Sequence, residues 1–138
     1  MNFSKIITIV PLFLVILIIY NVMAYFGVDF NFESANPLFT VPLPSGAEWK
    51  PTWSGIIILL GVVTLYVELL KSTKTGTATI IEHALSMVVF IGFLMEFILV
   101  KTAGTSTFLI ITLMSLLEVV AGFTITVASA RRDFSMGG

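Results

Sequence analysis

The sequence predicts an all-α integral membrane protein, with four transmembrane helices in a bundle, both termini cytoplasmic and one long structured outer loop. Three observations predict it. The first is composition: of 138 residues, 57% are hydrophobic and only 11% charged, and the mean hydropathy is +1.07. A soluble domain this small leaves too much of its surface exposed to hide that apolar content, so lipid is the solvent for most of the chain. The second is four apolar windows, each near the ~20 residues that cross a bilayer. The third is the placement of the basic residues.

The windows run from about 6 to 26, 53 to 70, 80 to 100 and 105 to 130. Backbone groups in lipid must be paired within their own segment, so each window is expected to be an α-helix of one transmembrane domain. Pro11 lies inside the first window and either kinks the helix or marks a late start. That window is too long for an ordinary signal-peptide core and has no small-x-small site after it, so a retained helix is expected.

Lys5, Lys71 with Lys74, and Arg131 with Arg132 lie in the N-terminus, the second connection and the C-terminal tail. An even number of spans puts all three on one side, and the positive-inside rule makes that side the cytoplasm of a plasma or bacterial-type inner membrane. Tyr20, Tyr25, Trp49 and Trp53 fall near the outer boundary, where amphipathic rings anchor a helix.

The outer loop, 27–52, holds four prolines and several aromatics, so it is neither a flexible linker nor a helix. The stretches "FNF" and "LFTV" suit short strands, and "PSG" a turn. The loop reads either as a folded cap over the helix ends or as a partner-docking surface presenting Phe39, Trp49 and Trp53.

Residues about 3.5 apart share a helical face. The fourth span places Thr112, Ser115, Glu118, Gly122, Thr126 and Ser129 on one stripe, with Thr124 off it. The third aligns Glu82, Ser86, Val89, Phe93 and Glu96, and the second Ser54, Ile57, Gly61, Thr64 and Glu68. Intramembrane polar residues face the bundle interior, a partner or water. Small residues such as Gly61 and Gly122 let backbones approach, and hydroxyls of Ser86, Ser115 and Thr126 can bond across the gap.

The ionisable groups have structural explanations of different strength. Thr79-Ile80-Ile81-Glu82 fits a capping box. Glu68 lies three residues before Lys71, the spacing of a helical ion pair worth a few tenths of a kcal/mol. Glu96 precedes Lys101 and can snorkel outward, and His83 reads as a seam residue or a proton acceptor linking Glu68 or Glu82 to the cytoplasm. Glu118 is set about 12 residues, or roughly 18 Å, from each end of its span, beyond the reach of snorkelling. An acidic residue there costs about 2.5–3.5 kcal/mol, so it should be protonated, face water or pair across an interface.

The chain has no cysteine and one histidine. Disulfides, thiolate catalysis and a histidine-rich metal site are excluded on that count, and no cofactor is expected. No phosphate-binding, hydrolase or metalloprotease motif is present, and the short tail "ARRDF" does not make a nucleic-acid site. The segment "LLEVVAG" looks like the carboxylate-bearing last helix of rotary proton-ring subunits over that stretch alone. The glycine-rich helices of such rings are missing, and the acid-free first helix departs from small multidrug exporters, so no family is assigned.

The expected function is that of a non-enzymatic subunit of a larger membrane complex or homo-oligomer, associating through its polar faces and outer loop. The rival is a proton- or cation-conducting subunit using Glu118 with Glu96, and Glu68, Glu82 and His83 at the cytoplasmic mouth.

Overall fold

The computed structural model describes residues 9–34, 36–74 and 76–137. Lys5 and the first residues of the first window therefore lie outside the described residues. Helix α1 is Leu12–Tyr25, α2 is Trp53–Lys71, α3 is Thr77–Leu99 and α4 is Ser106–Gly137. The last three are long and apolar enough to cross a membrane. With 14 residues, α1 rises about 21 Å, short of the ~30 Å hydrocarbon core.

Pro11 accounts for the late start. It sits at ψ 127°, outside the helical region, so no helix runs unbroken through the first window. Proline has no N–H to donate and its fixed φ suits the position before a first turn. The other end closes on Gly27 at φ +86°. The N–H of Gly27 bonds Ala24 O at 3.0 Å and that of Val28 bonds Met23 O at 3.0 Å, the paired bonds of a Schellman cap.

Helix α4 is the hub, packing along both α3 and α2, while α1 lies against α2 and, less extensively, α3. The reason is the distribution of polar and small residues. Helix α2 buries Ser54, Ile57, Gly61, Thr64 and Glu68 and no others, the five that share one face in the sequence. Opposite them α4 buries Thr107, Ile111, Thr112, Ser115, Glu118 and Gly122, and α3 buries Ser86, Val89 and Phe93. The remaining faces carry exposed Leu, Ile, Val, Met and Phe, as a lipid-facing surface does.

One end of the bundle is closed by aromatic packing. Tyr20 of α1 stacks on Phe30 of the outer loop at 4.2 Å and meets Phe108 of α4 edge-on at 4.8 Å. Phe108 in turn reaches Phe93, and Phe93 reaches Phe13. Tyr20 is 1% exposed, so it is not a boundary anchor in lipid. Its hydroxyl donates to Thr102 O at 3.0 Å and lies 2.9 Å from Thr105 Oγ1 at the α3–α4 turn. Thr107 also donates to Phe30 O and lies against Ser54 Oγ at 2.7 Å.

The outer loop has two parts. Val28 to Phe30 and Pro51 fold onto the bundle, while Val41–Pro42 pairs antiparallel with Glu48–Trp49 in an exposed hairpin. Its turn runs through Pro44 and Ser45, with Gly46 at φ +90° accepting the left-handed conformation a hairpin of this type needs. "FNF" forms a turn rather than a strand: Asp29 caps it, accepting from the Asn31 backbone N–H at 3.0 Å and side-chain amide at 2.7 Å. Those bonds hold the exposed Asp29 carboxyl below the usual carboxylate range.

Candidate functional site

The residue types with chemistry gather where α2, α3 and α4 meet. Glu118 is 2% exposed and Glu68 is 4% exposed, and each stands one turn before the point where Ser72 of the α2 end meets Gly122 of α4. Glu118 Oε1 accepts from Ser86 Oγ of α3 at 3.2 Å. Its other oxygen, Oε2, is buried and meets no N–H or O–H donor among the described residues. Glu68 Oε1 accepts from Lys71 Nζ at 3.1 Å and from the Leu12 N–H at 3.0 Å. Lys71 Nζ also donates to Val10 O at 3.3 Å.

Glu68 and Lys71 therefore cap the start of α1. Leu12 carries one of the free N–H groups that a helix start exposes, and the Glu68 carboxylate satisfies it with a charge of the favoured sign. The break at Pro11 and the pair on α2 belong to one arrangement. The side chains of Lys71 and Glu68 are only 15% and 5% exposed. The ion pair that the i,i+3 spacing suggested is formed at the end of α2, and it is buried; losing one member would leave an uncompensated buried charge.

A second set of bonds lies beside it. Thr126 Oγ1 donates to Ser72 O at 2.7 Å and is 2.8 Å from His83 Nε2. A hydroxyl has one proton, so His83 Nε2 carries the hydrogen of the second bond. Ser72 Oγ donates to Glu68 O at 3.0 Å. Gly122 faces this set: a Cβ there would stand 2.6 Å from Ser72 Oγ and 3.5 Å from the His83 ring. Gly61 likewise leaves room for the Met114 sulfur, which a Cβ would approach to 2.8 Å.

Several expectations are corrected by this geometry. Glu118 stands one turn before Gly122, which meets Ser72, so it lies near the level of Glu68, three residues from the end of α2, while α4 continues through Arg131 and Arg132 to Gly137. Glu96 does not join it. It accepts from Asn21 Nδ2 at 3.1 Å, about 15 Å along α3 from Ser86, instead of turning to Lys101. The capping box is not formed, because α3 begins at Thr77 after Gly76, and Thr79 Oγ1 donates to Lys74 O. Glu82 is half-buried on the rim of the carboxyl cluster, within electrostatic range of Glu68, Lys71 and Lys74. The faces expected to bind partners are filled from within: Gly61, Ser86, Ser115 and Gly122 are all buried in one chain, and Thr126 is half-buried.

Phe39 and Trp49 pack edge-on at 5.7 Å across the hairpin and remain 47% and 44% exposed, with Trp53 40% exposed at the start of α2. Leu12, Tyr20, Ser72 and Thr107 were not singled out as site residues. Ser72 was readable, since it extends the α2 stripe by one more turn from Glu68; the Leu12 amide has no side-chain signature. Among the described residues no group of three His, Cys, Asp or Glu is placed to hold a metal ion. In comparisons with known proteins, no family model, no curated protein and no solved structure matches the chain.

Proposed function

We propose that the chain is a non-enzymatic integral membrane subunit of a larger membrane complex or homo-oligomer, and that it docks through its outer hairpin. In this reading α1 belongs to the first span of a four-span bundle in a plasma or bacterial-type inner membrane, and both termini are cytoplasmic. One observation carries the proposal: the outer loop is divided into a part packed on the bundle and a hairpin that exposes Phe39, Val41 and Trp49. Exposed aromatic rings on a pinned scaffold suit recognition, because their contact area is large and little freedom is lost on binding. With the polar faces occupied inside the chain, the hairpin is the surface left for a partner.

The test is native mass analysis after mild-detergent extraction from membranes. The wild type should run as a complex, and Phe39→Ser with Trp49→Ser should release the chain as a smaller species with its helix content intact. A wild-type chain that is monomeric under every mild condition, or an assembly indifferent to both changes, contradicts the proposal.

A second reading, a proton- or cation-conducting subunit, is favoured by the meeting of Glu118 with Glu68. In that reading Glu96, bonded to Asn21, stands at a different level of the path. Reconstituted liposomes should then show a flux that falls sharply in Glu118→Gln.

A further inference from the structure

Glu68 and Glu118 are both almost wholly buried and come from different helices, each one turn before the close approach of Ser72 to Gly122, so that they face one another across α2 and α4. Two ionised carboxylates cannot hydrogen-bond, because each is an acceptor only. Glu118 Oε2 has no other donor within reach, and Ser86 supplies one proton to Oε1 alone. The charges that face the pair are Lys71 on α2, Lys74 in the turn after it, and Glu82 and His83 on α3. Helix α1 has no charged side chain and contributes a backbone N–H and C=O. Among the described residues the one charge that bonds directly to the pair is Lys71, and it offsets one negative charge, through Glu68. One further positive charge would make this described group neutral.

We propose that Glu68 and Glu118 form a binding site for a single proton, held between their carboxyl groups. Glu118 is the donor to Glu68 in this state, which fills the missing bond at Oε2 and leaves Glu68 to balance Lys71. The site is distinct from the hairpin and does not depend on the assembly reading. It supplies what the conducting reading requires, but a proton can be held here without being moved.

Isotope-edited infrared spectroscopy of the lipid-reconstituted protein, with glutamate labelled at the carboxyl carbon, reads the occupancy. At neutral pH the wild type should show a hydrogen-bonded carboxylic acid C=O band that disappears in Glu118→Gln and shifts or disappears in Glu68→Gln. Glu96→Gln is the control and should leave it in place. Lys71→Met removes the balancing ammonium, so a second carboxyl should protonate and the band area should roughly double. Glutamine at 118 keeps a donor for the facing oxygen, so Glu118→Gln should fold; in Glu68→Gln the Glu118 carboxyl must ionise to balance Lys71, and helix content checks that both variants fold. A spectrum in which neither Glu68→Gln nor Glu118→Gln alters a carboxylic acid band overturns the proposal. A band that grows when sodium and potassium are replaced by choline also overturns it, because a cation would then be the natural occupant. Absence of flux with the band present would refute conduction and leave the site standing.

Discussion

Glu118 and Gly122 sit one turn apart on α4 and answer different demands of the same contact. Glu118 needs polar partners and finds Ser86 and Glu68; Gly122 needs space and takes it against Ser72 and His83. Both were visible in the sequence as members of one stripe, but what they faced was not. The apolar window puts Glu118 at mid-span, but α4 extends well beyond that window, so distance to the window's ends does not show that Glu118 comes near the level of Glu68. Gly122→Leu should now act on the fold rather than on association. A side chain in that space must displace Ser72 and disturb the bond between Thr126 and Ser72, at a cost of about 1–3 kcal/mol for overpacking. Thermal unfolding of the reconstituted protein should show the midpoint falling. Unchanged stability would mean that α2 and α4 do not approach there.

Among the elements, the three long helices were legible because hydropathy and the 3.5-residue recurrence of polar groups agree along each of them. The stripe on α2 names its buried residues one for one. The first helix was less legible. Its residues are apolar on every side, so Phe13, Ile16 and Tyr20 could not be told from their lipid-facing neighbours. Tyr20 read as an interfacial ring because of its position near an end, whereas its hydroxyl ties α1 to the α3–α4 turn. The start of α1 depends on Glu68, a partner 56 positions away, and no local pattern encodes it. Tyr20→Phe keeps the ring stack on Phe30 and loses the hydroxyl bonds, which should cost about 1–3 kcal/mol because Thr102 O loses a buried donor. Amide exchange at the outer end of α1 and in the loop around Phe30 should quicken, with α3 little changed. Exchange that speeds equally in all helices would show that Tyr20 is not a local tie.

At the scale of the whole molecule, the polar helix faces meet one another within a single chain, leaving an apolar exterior that suits lipid and an exposed hairpin, which we propose serves recognition. Orientation belongs to this scale. Reporters fused after Gly138 and inserted near Ser45 should read cytoplasm and outside, and a cytoplasmic signal from the Ser45 insertion would overturn the proposed topology. The internal closure of the polar faces is the claim on which the rest depends, and the absence of cysteine makes it directly testable. Ser54 Oγ and Thr107 Oγ1 are 2.7 Å apart across α2 and α4. In Ser54→Cys with Thr107→Cys, mild oxidation in membranes should join the two positions within one chain, giving a monomer of altered mobility that reduction reverses. Two differently tagged copies expressed together should not become linked. Cross-linking between the tagged copies, or no cross-link at all in an inserted protein, would contradict the account.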